Sequence, residues 1–552
     1  MHTHRTEVVV IGAGLAGIAT ALELLDLNVP VILLDGSPGG KPGGQANEAF
    51  GGMLLSDTRE QTRNKIKDSP ELLLADWHNA ACFSDEDHWP KRWAELYAEQ
   101  NRPMIYDWLT QRGIRFFPSV QWVERGLYGN GNSVPRYHIA WGCGRGVVQT
   151  LLQRLEAHPN RSRLTLLNGH RVNTLNLSDG KITGCQGSIS NKLHKNQNHV
   201  SASRGAEGIA FSVSAAHTVV CTGGINGNLE KVRQHWDPCY GPAPENLLSG
   251  SSPDADGAMH DEVVNAGGRV INLNQMWNYA AGIRHPEPAF AGHGLSLIPP
   301  RSALWMNRHG RRVGPMPLIT GFDTHDLCKQ IGNLPGQTSW QVMNYRIAVR
   351  ELAVSGTDTN PDFRDGKLLR VVWNTLRGGD PVLMDWLIGQ CPDVVSANTP
   401  EELAAKMNQA AGNSDVQAED MIRDICAYDN NIARGKKLHN DDQIRRLLQL
   451  RNWLPDRFRT CNLQPIIDSS AGPLIAIREQ LISRKSMGGM QTDTRSRVLN
   501  QAGEAIPGLY AAGEATGFGG GGISGIRSLE GTFLSNCILN GRRAAQGIAG
   551  QL

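Results

Sequence analysis

The segment V-V-V-I-G-A-G-L-A-G-I-A, Val8 to Ala19, constrains the fold of this chain more than any other. An apolar run of β-branched residues passes through Gly12, Gly14 and Gly17 into a second apolar run of helical character. The pattern predicts a buried strand, a tight turn and a helix. In such a unit the first glycine permits the turn, the second lets backbone approach a pyrophosphate, and the third lets the helix pack on the strand. The phosphates then sit on the helix N-terminus, where unpaired N–H groups and the helix dipole favour an anion. In a chain with 62 glycines a lone G-x-G-x-x-G carries little weight. Its context adds the weight: V-I-L-L-D follows at the expected spacing and ends in Asp35, an acid placed to bind ribose hydroxyls, with Gly36 behind it.

The far end of the chain carries a second glycine-dense motif, P-G-L-Y-A-A-G-E-A-T-G-F-G-G-G-G, Pro507 to Gly522. Two such motifs about 500 residues apart imply one nucleotide domain built from both ends of the sequence. At 552 residues the chain exceeds what a single core supports, so at least two lobes are expected. The formal net charge of +2, with the two signs interspersed, argues against a dedicated nucleic-acid surface. The opening apolar run is broken by its glycines and has no charged leader, so it reads as part of the fold rather than as a signal peptide. No apolar stretch is long enough to predict a membrane span. Ten cysteines stand singly without C-x-x-C pairs, which predicts neither a disulfide framework nor a metal site and suits a reducing cytoplasm.

Further along, S-P-G-G-K-P-G-G-Q-A-N-E-A-F-G-G-M (Ser37 to Met53) reads as a loop able to lie against a planar cofactor. A helical stretch with Trp77, Trp89, Trp93 and Trp108 reads mostly as core. Val134 to Val148 is expected as a loop entering a helix, followed by strands near Leu164 to Leu167 and Lys181 to Ser190. Asn191 to Gly208 reads as a polar hairpin tip, Ala216 to Gly224 as a buried strand with a small-residue turn, and Pro253 to Met259 as a turn opening a helix. From Gly268 to Asn462 phosphate-type turns give way to tryptophans, prolines and amphipathic helices. The expected division is therefore 1–267 and 463–552 for the nucleotide domain and 268–462 for an inserted substrate domain. The last part is expected to hold short strands from Asp468 and a long helix from Leu529 to Gly547.

Taken together, I-G-A-G-L-A-G, A-F-G-G-M, C-T-G-G, D-A-D-G, S-M-G-G-M-Q-T-D and G-L-Y-A-A-G-E-A-T-G-F resemble the flavoproteins of the fumarate reductase, succinate dehydrogenase and ketosteroid dehydrogenase superfamily. The resemblance runs along nearly the whole chain. It implies an α/β fold with a discontinuous Rossmann-like FAD-binding domain, an inserted substrate-capping domain and chemistry at a carbon–carbon bond. It also implies FAD contacts at Gly12, Ala13, Gly14, Ala16, Gly17, Asp35, Gly36, Gly43, Gly44, Gln45, Gly51, Gly52, Val172, Thr222, Gly223, Gly224, Asp256, Gly513, Glu514, Ser528 and Leu529. A carboxylate such as Glu514 accepts from a ribose or ribityl hydroxyl. A helix opening near Ser528 and Leu529 would aim its positive end at the reduced flavin.

The substrate side departs from the family pattern. The fumarate reductases' H-G-A-N-R-L-G-G-N reads S-G-I-R-S-L-E-G-T here, with Ser528 in place of the carboxylate-clamping arginine and Arg527 beside it. Their T-T-R-D matches I-T-G-F-D without an arginine, and H-T-M-G-G reads K-S-M-G-G with Lys485 for histidine. Dicarboxylate reduction is therefore not expected. The ketosteroid dehydrogenases' tyrosine position holds Ile523. The catalytic candidates are Arg527, His138, Tyr137, Lys485 and Tyr279, with Trp277 and His293 considered beside them; the balance for Tyr279, His285 and His293, which lie in the expected substrate domain, is mostly structural. His138 is chosen because histidine titrates near neutral pH. The expected activity is an FAD-dependent dehydrogenase acting on a CH–CH bond next to a carbonyl in a hydrophobic or steroid-like substrate, passing electrons to an unknown acceptor. The alternatives are a reductase of an activated alkene and, from another class, an FAD-stabilised RNA-modifying or interaction protein.

Gly43 to Met53 contains no histidine or cysteine to which flavin could be attached, so noncovalent FAD is expected. Acid precipitation of the purified yellow protein should leave all flavin in the supernatant. Flavin retained in the pellet would show covalent attachment.

Overall fold

In the computed structural model, residues 2–37, 39–127, 129–190, 209–314 and 316–552 are described. The hairpin tip expected at Asn191 to Gly208 lies outside them. The chain divides into two compact units, one of residues Met1–His235, Ser251–Trp277 and Arg484–Leu552, the other of Trp236–Gly250 and Asn278–Ser483.

The first unit is built on a mainly parallel sheet. Its strands run in the order Leu164–Asn168, Val31–Asp35, His2–Ile11, Ile209–Val220, Ala505–Ala511 and Arg497–Leu499. Val9 is paired with Ile32 on one side and Thr218 on the other, both in parallel. Tyr510 pairs in parallel with Val219, while Arg497–Leu499 pairs antiparallel with Ala505–Ala511 and Lys181–Ile189 pairs antiparallel with Ile209–Val220. Val8, Val9 and Val10 are fully buried, because helices cover both faces of such a sheet and no strand position faces water. The helix Leu15–Asp26 buries eleven of its twelve residues. It lies against the C-terminal helix Thr532–Ala549 so closely that a Cβ on Gly541 would stand 2.4 Å from the carbonyl of Ala16. Arg542 Nε completes the contact at 2.7 Å from Glu23 Oε2.

Three local expectations change. The C-terminal helix begins at Thr532 rather than Leu529, because Gly531 takes φ +96° and breaks the helical path. The strand after Asp468 is long, Leu474–Ser486, since it is buried along most of its thirteen residues. Within Val134 to Val148 a short strand, Tyr137–Ile139, pairs antiparallel with Gly52–Leu54 before the helix Cys143–Glu156. Trp77, Trp93 and Trp108 are core residues as read, and Trp89 is half-buried.

The second unit carries a largely antiparallel sheet, in the order Leu304–Met306, Thr338–Asn344, Leu474–Ser486, Met276–Arg284, Gly294–Ile298 and Ala353–Val354. Helices including Thr324–Gly332, Pro400–Ala411, Ala418–Ala433 and Asp442–Leu450 accompany it. A bidentate pair, Arg284 with Asp393, ties two of its segments together.

The strand Tyr137–Ile139 is held by Arg136, whose side chain is completely buried. Its Nε and Nη2 donate to Asp68 at 2.9 and 2.8 Å, and Nη1 donates to Asp76 and to Asn132 Oδ1. Removing one partner of a buried ion pair leaves an uncompensated charge, which typically costs about 3–5 kcal/mol. Asp68→Ala should therefore lower unfolding stability by about that amount in denaturant titrations of the flavin-loaded protein. A loss under about 1 kcal/mol would show that Asp76 alone carries the guanidinium.

Candidate active site

In a doubly wound sheet ligands bind beyond the carboxyl ends of the strands. In the first unit, the strands ending at Ile11, Asp35, Val220 and Ala511 deliver Gly12 to Gly17, Asp35 with Gly36, Thr222 to Gly224, and Gly513 with Glu514 to that edge. The three motif glycines do different things there. Gly12, at φ +104°, has no room for a side chain: a Cβ would stand 2.5 Å from the carbonyl of Cys221. A Cβ on Gly17 would lie 2.0 Å from the carbonyl of Gly12. A Cβ on Gly14 would meet nothing within 4 Å. The first and third glycines are required by packing, whereas the second faces open space at the N-terminus of Leu15–Asp26. This arrangement fits a diphosphate. The N–H of Gly43 donates to Ala13 O at 2.7 Å and Gly44 comes against Gly14, so the Gly43–Gly44 loop borders the same space. Gln45 Oε1 accepts from Ser251 Oγ and Ser252 N. On the other side Gly513, at φ +72°, packs against Ala16.

Asp35 is nearly buried and accepts from the N–H and Oγ of Ser37, both at 3.0 Å. Burial raises its pKa. Gly36 packs on Arg171, next to buried Val172, and Arg171 Nη2 is 2.6 Å from Asp256 Oδ2. The expected ribose-side residues therefore form one cluster.

Glu514 and Lys485 are the chemically unusual groups. Glu514 Oε1 accepts from the N–H of Ser486 at 2.9 Å. Gly224 lies directly behind it, where a Cβ would stand 2.6 Å from that oxygen. Ser486 Oγ donates to Asn226 Oδ1 at 2.6 Å and accepts from the N–H of Ile225. Lys485 Nζ sits 4.5 Å from the centre of the Phe533 ring, in the first turn of the C-terminal helix, and Phe533 meets Trp277 edge-on and Phe518 at a tilt. Burial, with Arg484 adding to it, pushes the Lys485 amine down to about 8 even though Glu530 and Glu514 oppose the shift. Burial likewise pushes Glu514 up to about 7 against the pull of Ser486 and Lys485. Desolvation outweighs mutual attraction on both sides, so near neutral pH this pair holds mobile protons.

Tyr137 lies across Gly52, where a Cβ would fall 1.9 Å from its hydroxyl, and its ring also touches Gly531 at the start of the C-terminal helix. Gly51, at φ +93°, packs on Cys143. Ser528 Oγ is 2.8 Å from Thr532 Oγ1, and Leu529 is buried beside it. Arg527 stands in a loop anchored by Trp77 Nε1 to Ile523 O and by Ile526 N to Ala81 O, with Nη1 3.9 Å from Cys82 Sγ. Tyr279 belongs to the second unit and is half-buried.

His138 is fully buried. Its Nδ1 donates to the carbonyl of Arg136 at 2.7 Å, which leaves Nε2 to accept from Thr58 Oγ1 at 2.8 Å. Burial pushes its pKa down to about 4, so it is neutral through the range where the sequence reading expected it to titrate. Ser486, Asn226, Thr58 and Phe533 were missed in the sequence. Thr58 did carry a signal, since Thr58 and Gln61 form a capping box.

A family model described as "FAD binding domain" matches residues 7–534. A KsdD-like steroid dehydrogenase of Mycobacterium tuberculosis is 38% identical over 548 residues, covering 98% of this chain and 95% of that protein. A fumarate reductase (cytochrome) of Shewanella frigidimarina is 24% identical, covering 98% of this chain and 77% of its own length. Among solved structures, a 3-ketosteroid Δ1-dehydrogenase of Sterolibacterium denitrificans covers the whole chain with TM-score 0.69 at 14% identity, a likeness of fold. The chain belongs to the FAD-binding flavoprotein family that includes the KsdD-like steroid dehydrogenases. It is an FAD-dependent dehydrogenase. Among the described residues no helix is long and apolar enough to cross a membrane, and no cluster of His, Cys, Asp and Glu could hold a metal.

Because the Cβ position of Gly14 is free of protein, Gly14→Leu should fold with its apo stability changed by less than about 1 kcal/mol. It should nonetheless lose the flavin absorbance, because the side chain occupies the diphosphate space. Retention of FAD at wild-type affinity would place the diphosphate elsewhere.

Proposed function

We propose that this enzyme dehydrogenates a CH–CH bond next to the carbonyl of a hydrophobic, steroid-like ketone. It would use noncovalent FAD held by residues 1–267 and 463–552, with 268–462 as the substrate domain. The observation that carries this reading is that Ser528 stands where the resemblance places the carboxylate-clamping arginine, while Lys485 replaces a histidine and its amine is brought into the range of a general base. The 38% identity to a steroid dehydrogenase along almost the full chain supports it.

FAD, when bound, supplies the hydride acceptor. The remaining work falls to this chain. Lys485 Nζ, in its neutral form, takes the proton from the carbon next to the carbonyl, and Glu514 next to it tunes that amine. Tyr137 donates to the developing enolate oxygen, and Arg527 orients the ketone. His138, neutral and doubly hydrogen-bonded, acts as a positioning residue that fixes the strand carrying Tyr137. The electrons leave to an acceptor of unassigned identity, and the expected compartment is the cytoplasm.

A base must be deprotonated to act, so kcat/KM for a 3-ketosteroid with an artificial acceptor should rise with pH up to about 8 and level off above it. Lys485→Met should keep FAD, lower turnover by about 100-fold or more and abolish that limb. His138→Gln should leave it in place. With a reduced dye as donor, fumarate turnover should be negligible. A wild-type pH profile in Lys485→Met, or brisk fumarate reduction, would overturn the reading.

A further inference from the structure

The helix Leu368–Arg377 in the second unit has no buried residue, yet it is strongly two-sided. Leu368, Leu369, Val372, Trp373 and Leu376 recur at helical spacing on one face, with Leu369 87%, Trp373 57% and Leu376 66% exposed. The helix lies against Leu454–Arg459, which adds exposed Leu454 and Phe458. Exposed apolar area this concentrated marks a surface that another phase or partner covers.

The charges on this surface are unevenly distributed. Towards the N-terminal end Arg364 and Lys367 pair with Asp365, and Arg370 pairs with Asp362. Towards the C-terminal end the cations are not matched. Arg377 stacks over the Trp373 ring at 5.0 Å, and Arg350 Nη1 is 3.9 Å from the Cβ position of Gly378. Arg457 Nε donates to the carbonyl of Arg451, whose own Nη1 donates to the carbonyls of Arg457 and Thr460; burial, Arg350 and Arg457 lower the basicity of Arg451, and Cys461 and Glu351 oppose them. Among the described residues none of Arg350, Arg377, Arg451 and Arg457 has a carboxylate within 4 Å. Apolar side chains with a tryptophan at their edge and a rim of unneutralised arginines match the boundary between acyl chains and anionic headgroups. A second copy docking on the same face would bring the two arginine sets together, which opposes self-association.

We propose that the face formed by Leu368–Arg377 and Leu454–Arg459 docks the enzyme peripherally on an anionic lipid bilayer. At ten residues the helix is about 15 Å long, so it lies in the interface and does not cross it. The proposal does not rest on the ketone reading, because binding is measured without turnover.

The test is flotation of the FAD-loaded full chain with vesicles of phosphatidylcholine alone and of phosphatidylcholine with phosphatidylglycerol, at low and high salt. The wild type should float with the anionic vesicles at low salt and be released by high salt. Leu369→Glu/Trp373→Glu should reduce the bound fraction by about 10-fold or more, as should Arg377→Glu/Arg457→Glu, with flavin absorbance and elution volume unchanged. The milder Trp373→Ser provides the same reading should a double variant lose its flavin. Failure of the wild type to float with anionic vesicles overturns the proposal. So does an oligomer in solution that Leu369→Glu/Trp373→Glu dissociates, since a second copy would then be the occupant.

Discussion

The parallel pairing of Val8–Ile11 with Val31–Leu34 on one side and His217–Val220 on the other is the constraint on which the site depends. Parallel strands buried on both faces send their carboxyl ends to one edge, so segments remote in sequence end side by side. The open space at Gly14, the acid at Asp35 and the Gly223–Gly224 turn are three outputs of one register. A slip by one residue would turn the buried valines outward and misplace all three.

Around that frame the protein surrounds ionisable groups with little water and uses the result in two ways. At Arg136 the charge is matched by Asp68 and Asp76, and the outcome is rigidity of the short strand bearing Tyr137 and His138. At Lys485 and Glu514 the match is incomplete, and both groups are left near the point where a proton can be exchanged. Enclosure thus yields a fixed support at fully buried Arg136 and a titratable pair at half-buried Lys485 and Glu514. The number of compensating hydrogen bonds separates the two outcomes.

Local pattern made the nucleotide frame legible in the sequence: Gly12 and Gly17 are held by close backbone packing, Gly14 borders open space, and Asp35 ends its strand. The start of the last helix was misjudged by three residues because Gly531, in the left-handed region, looks in sequence like one more glycine in a glycine-rich loop. The role of His138 was hidden for a different reason. Burial lowers its pKa against the opposing hydrogen bond to the Arg136 carbonyl, and that burial involves Thr58, 80 residues away. Likewise the contact of Tyr137 with Gly52 and Gly531 joins three distant segments, and periodicity within any one of them does not reveal it.

The packing of Thr532–Ala549 on Leu15–Asp26 has a consequence for how the molecule comes into being. Gly541 against Ala16, Gly513 against Ala16, and Arg542 with Glu23 are contacts between residues about 500 positions apart in the chain. While the ribosome is still making the middle of the polypeptide, the first helix has exposed apolar surface and the glycine turn lacks its other wall. Cofactor capture therefore belongs to the final stage of synthesis. Until then the nascent N-terminal half depends on being shielded from aggregation.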